Sequence, residues 1–401
     1  MKKTSKYLSY GALAVLIVMM MAATVLERLH GAEYALEHVY HSPVFFALWA
    51  VVAVCGMMYI ISMGAYKRIF TFLLHVALVL MLAGALVTHL TGLSGEIGLR
   101  TGEESATVKL DDGNTCPLPF SLRLDSFDIE YYPDSKAPKD YVSEVTVLPS
   151  GESFTISMNH ILKQEGFRFY QADYDEDLQG SILAVSHDPW GIGITYCGYL
   201  LLLVSMTGFF FEKGTEFRKA AARLPVLPRW LKTGLIVAGT ALLLGFFWLI
   251  CRRLLFRPLM PVLRSPLLVF HVVSMMISYT IFGLAALIGI AGLIVRSRDV
   301  KENLRDISLI ILYPAVFLIT FGTFLGAVWA NVSWGNYWAW DPKETWALIT
   351  LLVYSFALHG QSTKAFRNPT FFHIFTIAAF LTVLVTYFGV NLLLGGMHSY
   401  A

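Results

Sequence analysis

Charged residues are scarce in this 401-residue chain, which is 14% Asp, Glu, Lys and Arg and 56% hydrophobic. A soluble globular domain carries about 25% charged residues. The composition therefore excludes an ordinary soluble protein and indicates an integral membrane protein. The net charge of +2 is unevenly distributed, and we expect no nucleic-acid partner.

Cysteine is also sparse, and the common catalytic motifs are missing. The four cysteines, Cys55, Cys116, Cys197 and Cys251, lie far apart without a C-x-x-C or metal-ligand spacing, so they are typical of small apolar core residues. The sequence has no P-loop, no H-E-x-x-H and no G-x-S-x-G, and the glycines of GIGITYCG fail the dinucleotide spacing. These absences argue against a hydrolase and a nucleotide-driven pump.

Long apolar runs are what the chain has instead. The sequence predicts a mainly α-helical polytopic membrane protein with about nine transmembrane helices and a small, mostly β extracytoplasmic domain. The first run follows Met-Lys-Lys, but it is longer than a signal-peptide core and leads into a second span, so we interpret it as a retained anchor. The predicted spans are 7–25, 44–62, 70–90, 192–211, 233–250, 267–295, 307–328, 344–359 and 371–394.

The region 91–190 differs from the rest, with 18 acidic and 7 basic residues. Alternating segments such as SEVTVL and SFTISM are separated by Gly, Pro and Asp turns, a pattern typical of β-strands. After the fourth span comes the basic connector EKGTEFRKAAARLPVLPRWLK. Its charge and prolines make it the expected domain boundary.

Basic residues in short loops predict the orientation. Lys67, the connector, the 296–305 loop and Lys364 share one side if nine spans are counted, so the N-terminus is expected in the cytoplasm. The Trp-rich segment and the C-terminus are then extracytoplasmic. Four arginines fall on the unexpected outer side: Arg252, Arg253, Arg257 and Arg264. Either the span at 233–250 is re-entrant or these arginines bind an anionic partner, and we favour the partner because losing that span would misplace the later loops.

Tryptophan is concentrated in one segment, 329–346, which contains five of the nine tryptophans. An interfacial aromatic belt accounts for one or two at a helix end, so this density favours a docking surface at the membrane face. The segment also predicts a helix start, with Asp341 as N-cap, Pro342 at the first position and Glu344 completing a capping box. Neither carboxylate is assigned a catalytic role.

Four of the eleven histidines form two pairs at different depths. His75 and His359 fall at the cytoplasmic ends of the third and eighth spans, and His271 and His398 at the outer ends of the sixth and ninth. Helix ends lie roughly 20 to 30 Å apart, so one ligand cannot join both pairs. Imidazole is a common axial ligand of haem iron, although each His could also be an interfacial residue with a satisfied hydrogen bond. With the aromatic segment nearby, the pairs favour a planar hydrophobic cofactor that has a metal centre. Carboxylates of such a cofactor would pair with the outer arginines, and a lipid phosphate would do so equally well. Weaker candidates are His30, His38, His41, His89 and His373.

The C-terminal sequences GAVWANVSWGNYWAWDPKETWALITLLVYSFALH and YFGVNLLLGGMHSY resemble the tryptophan-rich haem-handling signature of CcsA, a part of System II cytochrome c synthases. The N-terminal part resembles CcsB, the ResB family, through VYHSPVFFALW, FLLHVALVLMLAGALVTHLTGLSGEIGL, GFRFYQADYD and DPWGIGITYCGYLLL. The resemblance implies a fused protein with a CcsB/ResB-like domain at 1–215, a cytoplasmic linker at 216–232 and a CcsA-like domain at 233–401. Both the CcsA-like half and the external domain are shorter than in many fused members.

The resemblance further implies a cytochrome c synthase of the cytoplasmic (inner) membrane, which carries haem b outward and attaches it to the CxxCH motif of apocytochrome c. His75 and His359 would bind haem inside the membrane, and His271 and His398 at the outer face. Membrane lipid and a thiol-reducing protein are the other implied partners. The cofactor-binding segment would contribute Trp329, Trp334, Tyr337, Trp338, Trp340, Asp341 and Trp346.

Three other functions remain open at this point. A haem exporter would share the Trp-rich signature but leave attachment to another protein. A b-type electron-transfer protein would use the two His pairs for two haems, although electron transfer needs no open docking surface. A structural membrane scaffold needs neither feature.

Overall fold

A computed structural model describes residues 2–133, 136, 138–158, 160–223, 227–256, 265–360 and 363–394, without the side chain of Lys2 and several side chains between 243 and 256. Two segments are π-helical, Leu36–Tyr40 and Val385–Leu394, and Ala65–Lys67 is a 3₁₀ turn. The α-helices are α1 (Lys2–His30), α2 (Ala32–Ala35), α3 (Pro43–Ser62), α4 (Ile69–Thr91), α5 (Gly191–Phe211), α6 (Glu216–Arg223), α7 (Arg229–Phe256), α8 (Pro266–Ile294), α9 (Arg298–Trp334), α10 (Pro342–Leu358), α11 (Lys364–Arg367) and α12 (Pro369–Leu384).

A helix covers each of the nine predicted spans. Within the described residues, seven helical stretches are long and apolar enough to cross a membrane: α1, α3, α4, α5 with α6, α8, α9, and α12 with its π-helical extension. The chain is therefore a multi-pass membrane protein. Crossing by α7 and by α10, which at 17 residues is at the lower limit for a span, stays a prediction.

Four helices begin with the same local device, a polar N-cap followed by proline. The side chains of Ser42, Ser265, Asp341 and Asn368 each accept a hydrogen bond from a backbone N–H of the first turn. Proline fits the next position because its missing N–H would be unpaired there anyway. The predicted start at Asp341 is thus confirmed. Glu344 differs from a standard capping box, because its carboxylate accepts from the backbone N–H of Ala339 at 2.9 Å.

Helix α9 is longer than the span 307–328 that the sequence predicts. Its 37 residues correspond to about 55 Å, well beyond a hydrocarbon core of about 30 Å. Arg298 and Arg305 therefore lie in the first turns of the helix and not in a loop. Part of the predicted 216–232 linker is likewise helical, as α6.

The polar region forms one antiparallel sheet of eight strands in the order β5-β4-β3-β2-β1-β8-β7-β6, which confirms the predicted β region. Alternate side chains face a shared core that includes Leu122, Leu124, Phe169 and Leu183, all fully buried. Because buried and exposed side chains alternate along a strand, the sequence pattern predicts these strands. The strands are β1 (Leu93–Arg100), β2 (Glu104–Leu110), β3 (Thr115–Tyr131), β4 (Pro138–Leu148), β5 (Glu152–Ile156), β6 (Leu162–Gln164), β7 (Phe167–Tyr174) and β8 (Gly180–His187).

Helix α4 leads into the first strand of the sheet, helix α5 follows the last strand, and the two helices pack closely on each other. Small residues make this approach possible: a side chain at Gly84 would collide with Thr195, and one at Gly198 with Met81. Close packing of small residues is a main source of helix association in a membrane, where burial of apolar surface gives little. The same pair therefore fixes where the sheet sits on the helical part.

Candidate functional site

His75 and His359 come together in the structure. His75 lies in the second turn of α4 and His359 at the C-terminal end of α10, and their ring centroids are 5.9 Å apart at an interplanar angle of 81°. A metal lies roughly 2 Å from a ligating imidazole nitrogen, so two rings on opposite sides of one iron have centroids roughly 6 Å apart. The spacing of this inner pair therefore fits a single metal centre between the rings.

Backbone hydrogen bonds set the tautomer of three of the candidate ligands. The Nδ1 atoms of His75, His359 and His271 lie 2.7 Å from the carbonyl oxygens of Thr71, Ser355 and Gly322 respectively. A carbonyl can only accept, so Nδ1 is the protonated nitrogen and Nε2 carries the lone pair. This arrangement orients each ring as in metal-ligating histidines.

Glu212 supports the helix turn that carries His75. Its carboxylate accepts from the backbone N–H groups of Phe70 and Thr71 at 2.9 and 3.1 Å, and from the Thr71 hydroxyl. A carboxylate at a helix N-terminus also interacts favourably with the helix dipole. Because the Thr71 carbonyl accepts from His75, Glu212 anchors the ring through one intermediate residue. No pattern in the sequence indicates this role.

His271 occupies a close contact with α9. A Cβ added to Gly326 would lie 2.6 Å from its Nδ1, so only glycine at 326 allows the ring to approach. Trp329 follows Gly326 by three residues, which places His271 beside the start of the Trp-rich segment. His398, the predicted partner of His271, lies outside the described residues, and so the outer pair stays a prediction.

The four outer arginines also stay untested. Arg257 and Arg264 lie outside the described residues, and the side chains of Arg252 and Arg253 on α7 are not described.

The five tryptophans are less accessible than a fully open docking surface would require. Trp329 and Trp346 are buried, and Trp334, Trp338 and Trp340 are half-buried. Two edge-to-face pairs form within the segment, Trp329 with Trp334 and Trp338 with Trp340, with centroids 4.9 and 5.7 Å apart. Within the described part of the chain, the indole N–H groups of Trp329 and Trp338 are buried without an acceptor. Buried donors of this kind fit a ligand that carries carboxylates.

The end of the Trp-rich segment packs on the N-terminal helices. Trp340 stacks on Tyr40 with centroids 4.6 Å apart, and the Trp346 indole donates to the Thr24 hydroxyl at 3.1 Å. Trp346 therefore joins α10 to α1, a packing role beside the predicted cofactor role. Trp340 also has a φ of +57°, which is costly for a bulky residue and is found where surrounding structure enforces it.

Tyr337 connects the segment to α4 and α5. Its hydroxyl lies 3.0 Å from the Thr88 hydroxyl and 3.3 Å from a carboxylate oxygen of Asp188. Asp188 also accepts from the Thr88 hydroxyl at 2.7 Å and from the Gly191 N–H at the start of α5. Burial raises the pKa of Tyr337, so the hydroxyl remains a hydrogen-bond donor. Asp188 followed by proline is a helix-start signal by which it could have been found in the sequence.

Asn331 is the second connecting residue that the sequence did not reveal. Its side-chain oxygen accepts from Arg168 on β7 at 3.1 Å and from Tyr196 on α5 at 3.0 Å, and its backbone carbonyl accepts from Tyr170 at 3.3 Å. At Gly335, where φ is +82°, an added side chain would collide with the Tyr170 ring. The sheet therefore rests on the Trp-rich segment through β7.

Comparison with known proteins assigns both parts of the chain. Residues 232–398 match the family described as cytochrome C assembly protein, and residues 62–188 match the ResB-like family. Protein NrfI of Wolinella succinogenes is 40% identical over 152 residues, which is 36% of this chain and 17% of NrfI. The cytochrome c biogenesis protein CcsA of Chlamydomonas reinhardtii is 40% identical over 154 residues, 36% of this chain and 43% of that protein. CcsA of Gloeothece citriformis is 48% identical over 104 residues, 25% of this chain and 31% of that protein. Each match spans less than two thirds of the relative.

Proposed function

Because the chain belongs to the cytochrome c assembly protein and ResB-like families, we propose that it is a cytochrome c synthase that moves haem across the membrane and attaches it to apocytochrome c. Relatives named as cytochrome c biogenesis proteins support the proposal. The observation that carries it is the convergence of His75 and His359 at 5.9 Å from two different helices of the two family segments.

The geometry of α10 supports two haem positions. Asp341 caps the start of this helix and His359 its end, and 18 residues of helix correspond to about 27 Å. The Trp-rich segment therefore lies at one end of α10 and the inner pair at the other. With His271 near Trp329, haem bound by the inner pair and haem beneath the tryptophans would occupy separate levels.

The residues of this chain would perform binding and orientation. His75 and His359 would provide axial nitrogens inside the membrane, and His271 and His398 would do so at the outer face. The buried indole N–H groups of Trp329 and Trp338 would donate to the haem propionates. A vinyl group held beside a thiol turns a bimolecular encounter into a local one, which is a large rate advantage.

Attachment itself is an addition without net oxidation. Each cysteine thiol of the CxxCH segment adds across one vinyl group, so that its sulfur bonds one vinyl carbon and a proton reaches the other. Two thiols and two vinyl groups give two thioethers. The thiols must be reduced beforehand, and a separate thiol-reducing protein would supply this reaction.

The proposal includes a location and an arrangement in the membrane. We place the chain in the cytoplasmic membrane with nine spans, the N-terminus inside, and the sheet and Trp-rich segment outside. We propose the same three parts as from the sequence: a CcsB/ResB-like domain at 1–215, a cytoplasmic linker at 216–232 and a CcsA-like domain at 233–401. Basic side chains at the start of α9 and in α6 support this orientation.

Co-expression with a CxxCH apocytochrome in a host that lacks its own maturation system tests the function. We expect haem to remain on the cytochrome after denaturation and acid–acetone extraction. A chain that accumulates haem while the cytochrome stays unmodified would instead be an exporter or an electron-transfer protein. A chain with His75 and His359 both replaced by Ala is the matched control.

A further inference from the structure

A second pair of histidines meets at the opposite end of α4 from His75. His41 precedes α3 and His89 lies in the last turn of α4, and their ring centroids are 5.5 Å apart with an interplanar angle of 46°. Both side chains are exposed. This spacing is close to the 5.9 Å of the inner pair.

These two rings differ from most other histidines of the chain. Six histidines hydrogen-bond a backbone carbonyl through a ring nitrogen, among them His38, three residues before His41. Within the described residues, neither the His41 ring nor the His89 ring has a hydrogen-bond partner. Their ring nitrogens are therefore available to bind a metal.

Both histidines lie next to residues that contact the Trp-rich segment. His41 follows Tyr40, which stacks on Trp340. His89 follows Thr88, whose hydroxyl lies 3.0 Å from the Tyr337 hydroxyl. The pair is therefore held at the edge of the Trp-rich segment by two independent contacts.

The position on α4 relates this pair to the inner pair. Fourteen residues separate His75 from His89, which is a rise of about 21 Å and a rotation that leaves both on nearly the same side of the helix. One helix therefore carries one imidazole of each pair, at two depths.

The number of ligands distinguishes between metals. Zinc takes four protein ligands in structural sites and three in catalytic sites, and no third His, Cys, Asp or Glu joins this pair among the described residues. An iron porphyrin already supplies four nitrogens and leaves two axial positions, which two histidines can fill. The surroundings are apolar, as its macrocycle requires: the Phe46 ring lies 4.9 Å from His89, and Leu86, one turn before His89, is 47% exposed.

We propose that His41 and His89 form an additional haem-binding site, which receives haem beside the Trp-rich segment between the inner pair and the outer attachment position. The inference deepens the proposed function and rests on its premise that this chain handles haem. The site binds iron porphyrin through one ring nitrogen of each histidine, and its exposure leaves it open to exchange.

Hemin titration of the purified full chain in detergent tests the site, with absorbance and electron paramagnetic resonance as readouts. The background variant replaces His75, His359, His271 and His398 by Ala. We expect one six-coordinate, low-spin hemin per chain to remain. Adding His41→Ala or His89→Ala should remove the low-spin signal and weaken hemin binding about tenfold or more, whereas His38→Ala should change neither.

A background variant without six-coordinate hemin, or one unaffected by His41→Ala, would overturn the site. Should four substitutions prevent folding, single His41→Ala and His38→Ala variants of the otherwise unaltered chain decide the matter. The number of hemin molecules bound per chain should fall by one in His41→Ala and stay unchanged in His38→Ala. The same number in both variants would overturn the site. Covalent attachment to apocytochrome is scored separately, so loss of attachment with the low-spin signal retained would reject the synthase function and keep the site.

Discussion

Replacing Gly335 by Ala tests whether the sheet is seated on the Trp-rich segment through Tyr170. Gly335 has a φ of +82°, and a new Cβ would lie 2.8 Å from the Tyr170 Cζ and closer still to its Cε2. The left-handed conformation costs an L-residue about 1–2 kcal/mol. Overpacking against the ring adds about 1–3 kcal/mol. We therefore expect a destabilisation of about 2–5 kcal/mol.

Gly113→Ala is the matched control, because Gly113 has a φ of +84° with no atom within 4 Å of an added Cβ. It should show the conformational cost alone. Thermal unfolding can be followed by tryptophan fluorescence, to which the segment contributes five of the nine tryptophans, and the melting temperature should fall by about 2–4 °C per kcal/mol. In a Tyr170→Ala background, Gly335→Ala should cost only the conformational part, because the ring that the new Cβ would meet is absent. Equal effects of Gly335→Ala and Gly113→Ala would refute the contact between β7 and the segment.

Three further predictions concern the histidines and the sheet. His75→Ala or His359→Ala should lower the haem content of the purified chain, with partial recovery on growth with imidazole; unchanged haem content would reject the inner pair. His271→Ala should abolish covalent attachment and retain haem at the inner pair, as measured by pyridine haemochrome before and after extraction; full attachment would reject its role. Hydrogen bonds from Thr146, and next from Arg123, lower the pKa of Asp125 below 3.8, so this carboxylate stabilises the sheet above pH 3.8 and ceases to as pH falls through its lowered pKa. Thr146→Val should therefore shift acid unfolding to higher pH, as followed by circular dichroism.

Local patterns were sufficient to predict the elements of this fold. Each apolar run became a helix, and alternation between 91 and 190 became strands from Leu93 to His187, because both depend on neighbouring residues. The N-cap at Asp341 was also predictable from its neighbouring residues. The length of α9 was not, since the charged turns around Arg298 resemble a loop when only hydropathy is considered.

The contacts between distant parts of the chain were not predictable from one sequence. Asn331 looks like an ordinary polar residue at a helix end, yet it joins β7 and α5. Tyr40 and Trp340 are 300 positions apart and stack only because the N-terminal helices pack against α10. Depth in the membrane did suggest that His75 and His359 belong together, since depth follows from position within a span. The meeting of His41 with His89 depends on the path of the chain before α3, which periodicity does not encode.

Mass spectrometry of a CxxCH peptide incubated with the purified, haem-loaded chain and a thiol reductant tests the central claim most directly. We expect a peptide heavier by one haem, formed with the unaltered chain and not with the His271→Ala variant. A peptide of unchanged mass, beside a chain that keeps its haem, would contradict it.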